Sequence, residues 1–360
     1  MIKLFIISTR QQPSYIFNLI NINEFVQANI DISFINITKL QNKVPQNFKV
    51  EKKNYENIID FYAPDNYNDF YSIFNFNKEN KYYFLFTGWT INNEIILNFC
   101  KQKKIYTILL DLIPVNKFSY ISIISNNIRS IFLKKSILYN SVIVGGHYKI
   151  LFYKSIGYND VWEIHTHIFE EYIKNINNVK TDSYLLYIDQ NFLKHPDITW
   201  FNIDINSFEH YYTLINSFLK KQSTLYNLPV KIALHPTSDI KLYRKMFPNF
   251  MLYKNKTFNL MNNAKIIYGH YSNSLDYAVL IRKPMVLIDI ENSLSPKLSN
   301  NLHTFANKIG IKPINPHRKD KVLTTDHNSY HNYIYRFIKS KKNLTTTFSS
   351  ILLDHIKNIK

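Results

Sequence analysis

The chain is poor in glycine, with 6 in 360 residues, and none of them builds a GxGxxG fingerprint or a P-loop. A glycine-cradled phosphate site of either kind is therefore not indicated. A single cysteine, Cys100, excludes an internal disulfide and a thiolate metal cluster, and suits a reducing compartment such as the cytosol. No DxD and no HExxH occurs, so neither a metal-bridged diphosphate nor a zinc hydrolase is signalled. His165-Thr166-His167 has metal-ligand potential but reads better as connector. No apolar run approaches the roughly 20 residues that a membrane-spanning helix needs. The first apolar run, residues 2–7, leads into Ser8-Thr9-Arg10-Gln11-Gln12 without a small-residue cleavage site, so a secretory signal peptide is not expected.

Acidic residues are scarce too. Lys and Arg total 44 against 26 Asp and Glu, for a formal net charge of +18. Such a balance favours anionic partners: phosphorylated substrates, anionic lipid or nucleic acid. From Leu112 to Asn159 there is no acid, while Lys117, Arg129, Lys134, Lys135, Lys149 and Lys154 lie there. Residues 331–360 carry six Lys or Arg against Asp354 alone. A solvated surface in a lysine-rich composition accounts for these runs equally well. No aromatic-basic RNA-binding run or recognition-helix module appears, so nucleic acid is not expected as a partner.

Hydrophobic residues make up 46% of the chain, enough for two domains with their own cores. Apolar runs at 3–8, 30–37, 82–86, 105–110, 141–144 and 161–164 read as strands. Helical spacing separates several of them, at 14–26, 92–101 and 149–156. A connector is expected at about 165–180. The alternation then restarts with strands at 184–188, 230–234, 250–253, 266–268 and 285–288, and helices at 207–226, 240–247 and 274–281. Helices at 330–338 and 347–359 close the chain. Alternating strands and helices predict parallel, doubly wound sheets. The expected fold is α/β, with two Rossmann-like domains at 1–170 and 181–330 facing each other across a cleft, and C-terminal helices at 331–360.

Ligands of such sheets sit outside the carboxyl ends of the strands, so the residues that follow each strand carry the chemistry. Asp189-Gln190 follows the first strand of the second half, where an aspartate is either a general base or a turn cap. His235-Pro236 follows Val230–Leu234, and the proline holds the histidine backbone extended. An imidazole there can donate a proton to a departing phosphate. Tyr271-Ser272-Asn273-Ser274 precedes a helix. Its hydroxyls either cap that helix, for about 1 kcal/mol, or also hold a phosphate. In the first half, residues 119–138 place Ile121, Ile124, Ile128 and Ile131 at helical spacing, with Arg129, Lys134 and Lys135 among them. Such a segment is either a core helix or a basic helix lying on an anionic membrane.

The order Asp189-Gln190, His235-Pro236, Ser272-Asn273-Ser274, together with Ser8-Thr9-Arg10-Gln11-Gln12, resembles the bacterial sialyltransferases of the GT-B fold, which build lipooligosaccharide and polysialic acid capsule. Two departures stand out: Asp189 is followed by Gln190-Asn191 instead of a second acid, and Asn273 splits the serine pair. The resemblance implies inverting, metal-independent transfer of a sialic-acid-like sugar from a CMP-activated donor to a cell-surface glycan or glycolipid. Asp189 would take the acceptor proton and His235 would meet the leaving phosphate. Pro236, Tyr271, Ser272, Asn273 and Ser274 would bind the donor. Acceptor-side candidates are Arg10, Gln11, Gly88, Trp89 and Asn92. No cofactor is implied beyond the CMP-sugar itself, and a cytoplasmic site peripheral to the inner membrane is expected. The alternatives are a GT-B transferase or epimerase using a nucleotide diphosphate sugar, and a basic non-enzymatic protein that binds nucleic acid or membrane.

Overall fold

The structure, a computed structural model, describes residues 1–8, 20–41, 59–87, 94–112, 139–176, 183–192, 208–290, 295–316, 327–339 and 347–359. Among these residues the chain forms two compact α/β units. The first takes the residues before 171 and regains the chain at 339; the second takes 171–338.

The first unit holds a parallel sheet of β1 (Ile2–Ser8), β2 (Ile30–Asn36), β3 (Asp60–Tyr62), β4 (Lys81–Thr87), β5 (Tyr106–Asp111), β6 (Ser141–Gly145) and β7 (Val161–Ile164). Their order is β3-β2-β1-β4-β5-β6-β7. Side chains alternate faces along a strand, and β1 shows the consequence: Leu4 and Ile6 enter one core while Phe5 and Ile7 enter the other. Burial on both faces explains why these strands read as continuous apolar runs. The helix Phe348–Asn358 delivers Phe348, Ile351, Leu352 and Ile356 to the Leu4 face. Each such side chain is worth roughly 1.5–3 kcal/mol when fully buried.

The second unit holds β8 (Tyr184–Ile188), β9 (Val230–Leu234), β10 (Met251–Lys254), β11 (Ala264–Gly269) and β12 (Met285–Leu287) in the order β10-β9-β8-β11-β12, again all parallel. The chain runs outward from β8 through β9 to β10, then returns to β11. The order therefore reverses between β8 and β11, the point at which open α/β sheets bind ligands.

Several elements differ from the expectation. The connector contains a helix, His167–Asn175, that buries Ile168 and Phe169. Helices Tyr67–Ser72, Thr257–Asn263 and Pro296–Lys308 were not anticipated. The helix at 330–338 is an α-helix, His327–Tyr333, that widens into a π-helix, Ile334–Ile338. The stretch 331–360 is shared: its beginning packs in the second unit and its last helix in the first.

Candidate functional site

The carboxyl edge of the second sheet gathers most of the residues singled out by sequence. At the reversal point the Gln190 side-chain oxygen accepts the Tyr271 backbone N–H at 3.1 Å. Tyr271 itself is buried, with its ring 6.4 Å from that of Phe305. Its contribution to this edge is thus the backbone, and its ring belongs to the core.

After β9 the chain turns at once, and Ser238 N–H bonds His235 C=O at 2.9 Å. Pro236 occupies the second position of that turn, where its fixed φ is favourable. The turn brings two donors onto the His235 ring. Thr237 N–H reaches Nδ1 at 3.2 Å, and Thr237 Oγ1 lies 2.8 Å from the same nitrogen. Nδ1 is thereby an acceptor, and the proton of the neutral ring sits on Nε2.

Asp189 is only 3% exposed. Its Oδ2 accepts Asn191 N–H at 2.8 Å, and its Oδ1 accepts from the Tyr212 hydroxyl at 3.3 Å. Burial pushes its carboxyl up to about 7, against the pull of the hydrogen bonds from Asn191, Tyr243 and Tyr212. Asn191 adopts φ 54°, a left-handed conformation that asparagine tolerates. Through these bonds Asp189 fastens the loop after β8 to the tyrosines behind it.

Ser272, Asn273 and Ser274 are half-buried ahead of the short helix Leu275–Leu280. Ser274 stands at the cap position but makes no side-chain capping bond. Its hydroxyl instead lies 2.9 Å from that of Ser272. Ser272 Oγ also accepts the Ser274 backbone N–H, at 3.4 Å, a long capping bond at the start of the turn, and Oδ1 of Asn273 is enclosed without a hydrogen-bond partner.

Farther along the same edge, Asp289 follows β12. Its Oδ2 accepts from Ser299 Oγ at 2.9 Å and from His303 Nε2 at 2.7 Å. His270, just after β11, is 3% exposed, and burial holds its imidazole down to about 4. Sequence reasoning passed over Asn191, Thr237 and His303. Thr237 was within reach, as it completes the turn that Pro236 begins.

In the first unit, β1 and β4 are neighbours in register, with Ile7 opposite Phe86. The sheet order reverses between them as well. The loops that leave these strands contain Arg10, Gln11, Gly88, Trp89 and Asn92, which lie outside the described residues, as does the segment 119–138. At the end of β5, Lys149 Nζ donates to Asp111 Oδ1 at 2.5 Å, and the Tyr153 hydroxyl donates to Oδ2 at 2.9 Å. After β7, His165 Nε2 and Phe348 N–H both bond Glu170 Oε1, at 2.5 and 2.7 Å. That carboxylate ties the start of the last helix to the sheet.

Among the described residues no group of three or more His, Cys, Asp or Glu is placed to hold a metal ion. No described helix is long and apolar enough to cross a membrane.

No protein-family model matches the chain, and no curated protein matches it in sequence. Solved structures do share its architecture. MurG of Acinetobacter baumannii is 6% identical, with a TM-score of 0.51 over 100% of both chains. A protein described as UDP-N-acetylglucosamine 2-epimerase, from Listeria monocytogenes, is 6% identical, with a TM-score of 0.53 over 99% of this chain and 95% of its own. At such identity the likeness is one of fold. The two parallel α/β units of this chain have the GT-B architecture.

Proposed function

We propose that the chain is a nucleotide-sugar enzyme that holds its donor at the carboxyl edge of the second sheet. The observation that carries this reading is the pairing of a tautomer-fixed imidazole, His235, with two half-buried serine hydroxyls, Ser272 and Ser274, 2.9 Å apart at the start of the helix after β11. His235 and the Ser272–Ser274 turn follow β9 and β11, the two strands that flank β8. Two strand spacings are about 10 Å, so both groups belong to one ligand-sized stretch of edge. His235 Nε2–H would donate to a phosphate oxygen as the sugar–phosphate bond breaks. Ser272 and Ser274 would hydrogen-bond the same group, so the protein's own groups meet the phosphate without a metal.

A UDP-sugar is the donor this reading favours, because a protein of this fold is named for its action on UDP-N-acetylglucosamine. Transfer and epimerisation both begin by loosening the sugar–phosphate bond, and His235 serves either. A CMP-activated sialic-acid-like donor is the second reading, carried by the order Asp189-Gln190, His235-Pro236, Ser272-Asn273-Ser274. In neither does the enclosed Asp189 act as the base; it supports the turn, and an acceptor's proton goes to another group.

Thermal-shift and calorimetric titration with UDP, UDP-N-acetylglucosamine, CMP and CMP-sialic acid tests both. Stabilisation by the uridine compounds alone supports the first reading, and by the cytidine compounds alone the second. Binding by none of the four sinks both. Product analysis with UDP-N-acetylglucosamine, with and without glycan acceptors, separates epimerisation from transfer.

A further inference from the structure

The strongest unassigned feature is a continuous hydrogen-bond chain that runs from the core of the second unit to the His235 ring. Its outer end is fixed by one obligatory donor. Thr237 N–H points at His235 Nδ1, 3.2 Å away, so Nδ1 accepts. The Thr237 hydroxyl, 2.8 Å from Nδ1, must then donate its proton to the same nitrogen. Having spent that proton, Oγ1 accepts from the Asn191 amide nitrogen at 2.9 Å. This fixes which end of the Asn191 amide is which. Its oxygen faces the Tyr243 hydroxyl, which donates to it at 3.0 Å. Tyr212 lies 3.1 Å from Tyr243 and 3.3 Å from Asp189 Oδ1. From Tyr243 through Asn191 and Thr237 to the imidazole each link has one direction, outward, while the Tyr212 proton goes to Asp189.

We propose that Asn191, oriented by Tyr243, and Thr237 are positioning residues that hold His235 as its Nε2–H tautomer and so aim its proton away from the turn. What the proton meets rests on the proposed function; the tautomer does not. Asn191 suits the task because it carries an acceptor and a donor on one rigid group. It is fully buried, so the amide exchanges neither bond for water. A second-neighbour group that sets which ring nitrogen is protonated is a recurrent way to prepare a histidine for proton donation.

Asn191→Asp tests this without disturbing the left-handed turn, since aspartate tolerates that conformation. The carboxylate still accepts from Tyr243 but offers no donor to Thr237. The Thr237 hydroxyl then donates to residue 191 and its oxygen faces Nδ1 as an acceptor, leaving the 3.2 Å bond from Thr237 N–H as the one donor there, so the preference for Nε2–H is weakened and not reversed. The experiment is a long-range 1H–15N correlation on 15N-histidine-labelled full-length protein, above the imidazole titration range. His235 is assigned by loss of its signals in His235→Gln. The expected result is a bare Nδ1 and a protonated Nε2 in the wild type, and a shift towards Nδ1–H in Asn191→Asp. Thr237→Ser is expected to keep the wild-type pattern. A wild-type ring protonated on Nδ1, or an Asn191→Asp ring unchanged from wild type, overturns the proposal. Because no nucleotide enters this measurement, its outcome is independent of whether the donor reading holds. Once a donor is identified, Asn191→Asp is expected to lower kcat with KM little moved.

Discussion

Gln190 and Tyr271 are joined across the reversal point of the second sheet, side-chain oxygen to backbone N–H at 3.1 Å. That bond ties the loop after β8, which carries Asn191, to the loop after β11, which carries Ser272. The half of the edge that orients His235 and the half that presents hydroxyls are thereby fastened together.

Replacing Gln190 by Ala should loosen this edge more than the fold. A net intramolecular hydrogen bond is worth about 1 kcal/mol. We expect a stability loss of that order, together with faster amide exchange at Tyr271, and weaker stabilisation by whichever nucleotide binds. Exchange at Tyr271 as slow as in the wild type would show that the amide is protected by something else.

His235→Ala should leave the fold intact, because the residue lies in the turn after β9 and outside the buried core. Turnover should fall roughly 100-fold to 10,000-fold, the usual worth of a positioned acid. A variant that turns over at near wild-type rate removes His235 from the chemistry.

Asp189→Asn separates the turn-cap role from the general-base role. Asparagine keeps an oxygen for Asn191 N–H, so turnover should survive largely unchanged; a fall of 100-fold or more would restore Asp189 as the base. The variant should also change the pH dependence of stability. Burial raises the carboxyl from 3.8 to about 7 in the folded chain, so the folded state holds a proton that the unfolded state has already lost. The protonated carboxyl's contribution is complete below about pH 4 and is lost as pH rises through about 7. His270, depressed to about 4, acts with the opposite sign, and Asp276, raised to about 7 by burial, acts with the same sign. The wild-type curve is thus a sum, and the difference between variant and wild type isolates Asp189. In denaturant titrations Asp189→Asn should gain on the wild type steadily between pH 4 and 7. A pH-independent difference would place the carboxyl at an ordinary value.

The ion pair at the end of β5 should be lopsided under mutation. The Lys149 side chain is 4% exposed and that of Asp111 23%. Asp111→Ala strands a buried ammonium, and breaking such a pair typically costs 3–5 kcal/mol. Lys149→Met should cost distinctly less, because Asp111 keeps Tyr153 and some water. Equal losses in chemical denaturation would mean that the ammonium reaches solvent once its partner is gone.

The sequence by itself determined the strands apart from β3, which is only three residues long, and, with them, the fold class. β8, β9 and β11 are legible because strands buried on both faces need unbroken apolar runs, and the polar residues that stop them mark the carboxyl ends where ligands sit. The helix Phe208–Tyr226 is legible for a similar reason, through its spacing of apolar residues. Pro296–Lys308 was also within reach, with Ser295 and Pro296 at its start, and was overlooked. Thr257–Asn263 was not, since its seven residues are too few for a clear period. What the sequence could not decide is which groups meet across separate strand ends. Asp189 looks the same on paper whether or not it is enclosed; only the tertiary structure packs Tyr212 and Tyr243 behind it, and burial there withdraws the carboxylate from solvent. The terminal helix shows an apolar stripe but not the sheet that receives it, and the Glu170 bond to Phe348 N–H supplies that answer. The tautomer of His235 rests on hydrogen bonds among residues 191, 237 and 243, brought within 3 Å or so of one another only by the pairing of β8 with β9 and the helix that follows.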